Sequence, residues 1–174
     1  MILRKRGVLM GNSKKILLTS LFFLLCSGVF ARQIAIQVVQ HDETSEKVCE
    51  QSFVLEDELM NGFFENGYIV TNSQASISKS EKQDSSLWSV GFGEAYDGFS
   101  DYFVQIKLYY SVGKPGEIKK ESYISRVDWN LTAVTSGITI KSSSIKDFSK
   151  QMKSVDAKSV SSYLIKEIKE AIKA

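Results

Sequence analysis

The sequence predicts an α/β sandwich of the α+β kind: three helices packed on a mixed sheet of five strands, in the order β-α-β-α-β-β-β-α. Three observations carry this. The run IAIQVVQ, residues 34–40, is apolar and β-branched on both parities, as in a strand covered on both faces. Residues 102–112 alternate, with Tyr102, Val104, Ile106, Leu108, Tyr110 and Val112 on one parity and Phe103, Gln105, Lys107, Tyr109 and Ser111 on the other, which describes a half-buried strand. Val160, Leu164, Ile168 and Ile172 recur every fourth residue and so share one side of a helix.

The first 31 residues read as a targeting segment rather than as part of the fold. Arg4, Lys5, Arg6, Lys14 and Lys15 form a basic region, Ile16 to Cys26 an apolar one, and Val29-Phe30-Ala31 a small-residue cleavage pattern, so cleavage is expected after Ala31. Met10 begins a leader of more usual length. The stretch from Ile16 to Ala31 contains Thr19, Ser20 and Ser27 and falls short of the roughly 20 residues that span a bilayer. Leu25 stands where a lipid-attachment signal wants a small residue before Cys26, so membrane contact is expected only if Cys26 is lipidated or through a partner. Of the chain's 22 Lys and Arg, five lie in this leader and no acidic residue does; residues 32–174 therefore hold 17 basic against 20 acidic side chains, a net charge of −3. With no basic stripe left, nucleic-acid binding is not expected, and the length suits one domain, residues 32–174.

The elements follow in order. HDETSEK, 41–47, is a polar connection, in which His41, Asp42 and Glu43 are too close in sequence to converge readily on one metal ion. From Val48 to Asn66 a helix is expected, with Ser52, Leu55, Leu59 and Phe63 as its apolar stripe, Phe53, Met60 and Phe64 widening it, and Asn66-Gly67 closing it. YIVTNS restarts as a strand. The serine-rich stretch 73–86 reads as a flexible surface link in which Asp84, Ser85 or Ser86 caps the next helix. In that helix Leu87, Gly91, Ala95 and Gly98 recur at helical spacing, flanked by Trp88 and Phe92, and the small members permit close approach to a sheet. The strand at 102–112 leads through the loop GKPGEIKKE, 113–121, to a strand with Tyr123, Val127, Trp129, Leu131 and Ala133 on one face and Arg126, Asp128, Asn130 and Thr132 on the other. Thr135-Ser136-Gly137 turns into ITIKSS, and the last helix carries Lys166, Lys169 and Lys173 near its end, where cations suit the helix dipole.

Chemistry motifs are sparse. Gly91-x-Gly93 lacks the third glycine of a dinucleotide fingerprint, since Tyr96 stands in its place; no Lys-Ser/Thr follows, and the segment feeds a strand instead of opening a helix, so no nucleotide or other cofactor is expected. Glu94, Asp97 and Asp101 offer carboxylates for acid/base or metal work, but nothing in the sequence supplies a partner that would shift one of them. The lone histidine, His41, leaves no conventional triad, and its pairing with Cys49 as a thiol nucleophile has no spacing to support it. Cys49 reads as a small packing residue.

Three stretches resemble the small α/β domain of exported bacterial envelope proteins found at the amino terminus of TolB and in CsgG-type curli secretion proteins. IAIQVV is similar to that family's first strand, LMNGFFENGYIVTNS to its helix closing on glycine before a strand, and EAYDGFSDYFVQIKLYY with VDWNLTAVTSGITIKSS to its later helix and strands. Neither a propeller nor long pore-forming hairpins accompany the match. The resemblance implies a periplasmic, non-catalytic module that binds or helps assemble envelope proteins, through a sheet edge or through exposed aromatics such as Phe103 and Tyr109. A hydrolase or metal-dependent enzyme built on Glu94, Asp97 and Asp101, with or without His41, is the alternative.

Overall fold

β1 (Gln33–His41) forms the middle of the fold because nearly every residue in it is buried. In the computed structural model, which describes residues 31–42, 45–112, 122–146, 148 and 156–174, it pairs in parallel with β2 (Ile69–Ser78) on one side and with β3 (Tyr102–Val112) on the other. β4 (Ser122–Ala133) and β5 (Ile138–Ile145) extend the sheet antiparallel, giving the order β2-β1-β3-β4-β5. With α1 (Glu50–Glu65), α2 (Glu81–Asp97) and α3 (Ala157–Lys173), the described residues hold the predicted five strands, three helices and element order. Residues 1–30 of the proposed leader, Cys26 among them, Glu43 and the loop 113–121 lie outside the described residues.

The two faces of the sheet are covered unequally. On the first, α1 and α3 pack together over the apolar parity of every strand: Ile34, Ile36 and Val38 of β1, Val104, Ile106 and Leu108 of β3, and Val127, Trp129 and Leu131 of β4 meet Leu55, Leu59 and Phe63 of α1 and Val160, Leu164 and Ile168 of α3. Fully burying each such side chain stabilises the fold by about 1.5–3 kcal/mol, so most of the stability resides here. On the second face α2, alone among the described helices, covers a small core of Ala35, Ala95, Phe103 and Val134, with Trp88 and Phe92 against it.

The stripes of α1 and α3 fall where the sequence placed them, with Ser52, Leu55, Leu59 and Phe63, and Val160, Leu164, Ile168 and Ile172, all buried. The widening of the α1 face holds for Met60, which packs against the core, but is overturned for Phe53, 40 % exposed, and Phe64, 72 % exposed, while Glu56 is buried and accepts from Asn72 Nδ2 at 3.0 Å. The close approach of α2 is borne out at Gly91, where an added Cβ would sit 2.7 Å from Gln37 Nε2.

Residues 73–86 are not a link. β2 runs on to Ser78 through a register shift opposite β1, and α2 begins at Glu81. Its cap is Ser80, whose Oγ accepts from Gln83 N at 3.3 Å while Gln83 Oε1 accepts from Lys79 N at 2.9 Å, a near relative of the capping box that the spacing Ser80-x-x-Gln83 announces. Asp84, expected as a cap, lies inside the helix and is buried. The helix ends with Ser100 N donating to Ala95 O at 2.9 Å and Phe99 N to Tyr96 O at 3.1 Å, the Schellman arrangement. Its left-handed residue is Phe99, with φ 57°, and not a glycine.

Within β4 the expected alternation breaks. Tyr109 pairs with Arg126 but Tyr110 pairs with Ile124, so Ser125 is an extra residue, and the bulge turns Ile124 into the core beside Val127.

Candidate functional site

β3, β4 and β5 continue past the edge of α2 on the second sheet face, and there the exposed parity is polar. Lys107 and Tyr109 on β3, Arg126, Asp128 and Asn130 on β4 and Ser142 and Ser144 on β5 line two adjoining hollows, which share Lys107 and Asn130 and are walled on one side by Asp84, Ser85 and Trp88 of α2. The larger, beside the helix, has a volume of about 480 Å³. Together they form an open trough running from α2 to the sheet edge.

Apart from Glu81, exposed at the lip of the larger hollow, its charges are paired. Asp84 is the hub at the helix side: its Oδ1 lies 3.3 Å from His41 Nδ1 and its Oδ2 accepts from Lys107 Nζ at 3.3 Å. Burial alone would push the Asp84 carboxyl up, but hydrogen bonds from Ser78 and His41 and the charge of Lys107 outweigh it and hold Asp84 below the ordinary carboxylate value. On β4, Arg126 Nε donates to Asp128 at 2.8 Å and 3.0 Å, Nη2 donates to the same carboxylate, and Ser144 Oγ donates to Asp128 Oδ1 at 2.6 Å. Asp128 is likewise lowered, since burial is outweighed by Arg126, Ser144 and Lys107, and the Arg126 guanidinium is raised chiefly by its bond to Asp128. Arg126 lies 4.0 Å over the Tyr109 ring, and the His41 ring is 4.8 Å from the same tyrosine. The Tyr109 hydroxyl is raised by burial and by Asp128.

Beneath the charges runs a row of amides. Gln105 Nε2 donates to Gln37 Oε1 at 2.8 Å, and Gln37 Nε2 donates to Leu87 O of α2 at 3.0 Å. Next to Gln105 across the ladder, Asn130 has a buried Oδ1 without a hydrogen-bond partner, as does the Thr132 hydroxyl. Such leftover acceptors are uncommon in folded proteins.

A second polar cluster lies on the opposite sheet face at the start of α1. Gln40 Oε1 accepts from Cys49 N at 2.8 Å and from Ser52 Oγ at 3.1 Å, and Ser52 Oγ meets Tyr110 OH at 2.9 Å. Burial, helped by the nearby Cys49 and only partly opposed by Ser52, keeps the Tyr110 hydroxyl far above its usual value. Cys49 engages Ser52 there, whereas His41 engages Asp84 on the trough side, so no thiol–imidazole pair forms.

The residues singled out in the sequence divide sharply. Phe103 is wholly buried, with Trp88 and Phe92 set edge-on against it, so its expected exposure is corrected: it sits on the polar parity of β3 because α2 covers that end of the strand. Tyr109 is half-buried between His41 and Arg126 in the trough. Glu94, Asp97 and Asp101 do not converge. Glu94 accepts from Ser73 Oγ, Asp97 is exposed at the helix end, and Asp101 Oδ2 accepts from Gln33 N at 2.7 Å, tying the start of β3 to β1. Among the described residues no group of three His, Cys, Asp or Glu is placed to hold a metal ion. His41, read as part of a loop, is the last residue of β1, and Asp84, Arg126 and Asp128 were missed as a set because only the sheet register and the true start of α2 bring them together.

Several solved structures are similar to this chain at low identity. The PelC dodecamer from Paraburkholderia phytofirmans is 15 % identical, with 83 % of this chain and 89 % of that one covered and a TM-score of 0.45. The lipoprotein GNA1162 from Neisseria meningitidis is 12 % identical over 81 % and 97 %, with a TM-score of 0.43. TolB from Acinetobacter baumannii is 14 % identical over 83 % of this chain but only 29 % of its own, with a TM-score of 0.39. Likeness at this level carries no functional information. No curated protein matches the sequence. A family model described as "Uncharacterised protein" matches residues 33–173, and the chain belongs to that family.

Proposed function

We propose that this chain is an exported, non-catalytic module of the bacterial cell envelope that binds a protein partner by strand addition at β5, in the manner expected of small α/β domains like that of TolB or of CsgG-type proteins. The observation that carries this reading is the state of β5. It is an end strand of the sheet, with Ile138 66 % and Ile140 42 % exposed, and its one charged side chain, Lys141, does not guard it. Lys141 instead donates to Glu167 of α3 at 2.9 Å and lies 5.6 Å over the Trp129 ring. Natural edge strands are commonly protected by outward charges, so an unguarded one is suited to pairing. The scatter of Glu94, Asp97 and Asp101 supports binding over the alternative of a hydrolase or metal-dependent enzyme, which needs them in one cleft.

The test is affinity capture from the organism's own envelope fraction, with the mass of the mature amino terminus read from the same preparation. A terminus at Arg32 and a protein partner whose capture falls about tenfold in Ile140→Lys are expected, since a lysine on the edge opposes strand pairing. Undiminished capture by a folded Ile140→Lys protein refutes the strand-addition reading, and an unprocessed amino terminus refutes export.

A further inference from the structure

The geometry points to a second binding site, independent of the β5 edge: the trough beside α2 takes an uncharged, hydroxyl-rich ligand, an oligosaccharide segment, laid across β3, β4 and β5. Four features of the trough lead to that ligand class.

The first is charge. Lys107 is spent on Asp84, and Arg126 on Asp128 by a forked bond, so an incoming phosphate or carboxylate has to displace a carboxylate already in place, and an incoming cation has to displace Lys107 or Arg126 or rest on Glu81 alone, an exposed carboxylate at the lip of the larger hollow, where a single solvated ion pair contributes little. Breaking a partly buried ion pair leaves one charge uncompensated at a poorly hydrated position. An ionic ligand is therefore disfavoured, whereas a neutral one can use the free donor and acceptor positions of the same groups without separating them.

The second is the kind of polar group. The walls and floor offer planar side chains held in place by their own bonds, namely Gln105 fixed by Gln37 and the Arg126–Asp128 fork, together with the small hydroxyls of Ser142 and Ser144. Ordered donors and acceptors at fixed spacing suit a ring bearing hydroxyls on successive carbons, because little side-chain freedom is lost on binding.

The third is the leftover acceptor. Asn130 lines both hollows, yet its Oδ1 has no partner within the protein. A buried acceptor left unmade is destabilising, and a ligand hydroxyl reached by a small turn of the amide recovers that loss.

The fourth is shape. Trp88 stands at the helix side of the trough, stacked on Phe92 at 5.0 Å and so fixed in orientation, and the guanidinium plane of Arg126 is itself laid on Tyr109. Flat, rigid surfaces of this kind pack against the C–H faces of sugar rings. At about 4.8 Å per strand, β3 to β5 spans roughly 10 Å, the length of about two sugar rings. A peptide fits less well, since of the large apolar residues lining the trough, Trp88, Tyr109 and Trp129, the last belongs to the core of the opposite sheet face, and no apolar pocket receives alternate side chains.

The experiment titrates the exported, purified protein with cello-, malto- and chito-oligosaccharides, with oligogalacturonate as an acidic comparison and an unrelated polyserine peptide as a control, following tryptophan fluorescence and amide chemical shifts. Binding of at least one neutral series is expected, unchanged between about 50 mM and 500 mM salt because no net charge is exchanged. Asn130→Ala and Arg126→Lys should each weaken it about tenfold, the equivalent of one lost hydrogen bond to a charged or fixed group, and Ile140→Lys should leave it unaltered. Trp88→Ala loosens the small core, so the two polar substitutions serve as the test and circular dichroism confirms their fold. Absence of binding to every neutral series, binding of the acidic sugar or the peptide alone, or neutral binding that neither Asn130→Ala nor Arg126→Lys weakens overturns the assignment. Because Ile140→Lys and Asn130→Ala address different surfaces, failure here leaves the strand-addition reading to stand or fall by its own test.

Discussion

Replacing Gly91 by alanine tests how α2 is seated. Gly91 is buried where the helix crosses β1, and an added Cβ would lie 2.7 Å from Gln37 Nε2, 2.8 Å from Cδ and 2.9 Å from Oε1. The Gln37 amide cannot swing aside cheaply, because it bridges Leu87 O at 3.0 Å and Gln105 Nε2 at 2.8 Å. Overpacking costs about 1–3 kcal/mol, and loosening the two hydrogen bonds costs about 1 kcal/mol each. Alanine returns about 0.8–1 kcal/mol of helix propensity. The net loss is about 2–4 kcal/mol, a fall in Tm of roughly 8–16 °C for a domain of this size. Gly93, two residues on in the same helix, is the internal control, since a Cβ there meets nothing within 4 Å. Gly93→Ala should gain about 0.5–1 kcal/mol from propensity alone. Urea unfolding followed by circular dichroism, with unchanged m values, reads both. If Gly91→Ala is as stable as the parent, or if the two substitutions move stability in the same direction, the close seating of α2 on β1 is wrong.

Three further outcomes are expected. A Cβ at Gly62 would lie 2.2 Å from the Ile165 Cδ1 tip, so Gly62→Ala should destabilise by about 1–2 kcal/mol and Ile165→Val should recover part of that loss, giving a coupled double-mutant cycle in urea. Phe99 is 88 % exposed at φ 57°; Phe99→Gly should raise stability by about 1 kcal/mol in the same assay, because glycine adopts the left-handed conformation without the side-chain penalty. Asp84 and Asp128 are held below the ordinary carboxylate value in the folded protein. Their contribution is therefore present above that value, 3.8, and is lost as pH falls through it towards the lower folded values. The urea midpoint should drop steeply below about pH 4, and Arg126→Met should make that acid drop shallower while lowering the midpoint at neutral pH.

What the sequence disclosed about the fold depended on periodicity. The stripes of α1 and α3 and the alternation of β3 were plain because a single buried face imposes a single period, and Val160, Leu164, Ile168 and Ile172 follow it without exception. The second half of β2 was hidden because an end strand needs few apolar residues: Ser73 and Ser76 pair with β1 through backbone bonds that carry no side-chain signature. The cap at Ser80 was legible in Ser80-x-x-Gln83 but was lost once 73–86 had been read as a link. The parity break at Ser125 had no residue to mark it, since bulges are set by the partner strand. The site was less legible than the fold. His41, Asp84, Lys107 and Arg126 come from four elements, and no motif spacing joins residues that only a sheet register brings together.

The unequal covering of the sheet also follows from these residues. Ala35, Phe103 and Val134 give α2 an apolar seat at one end of the second face, and the helix needs no more than that to dock. Further along the same strands, Lys107, Arg126 and Asp128 replace apolar residues on the same parity, and sealing them beneath a second helix would strip water from two cations and two carboxylates at once. Desolvation of paired charges costs more than their mutual attraction returns unless every remaining donor and acceptor is met. The trough consequently stays open within this fold, its ion pairs half-hydrated and its Asn130 acceptor unmet. A surface of that kind is expensive to cover with apolar protein and inexpensive to cover with a neutral polar ligand, which is why binding on this face is sought among hydroxylated polymers, and pairing with protein at the unguarded strand β5.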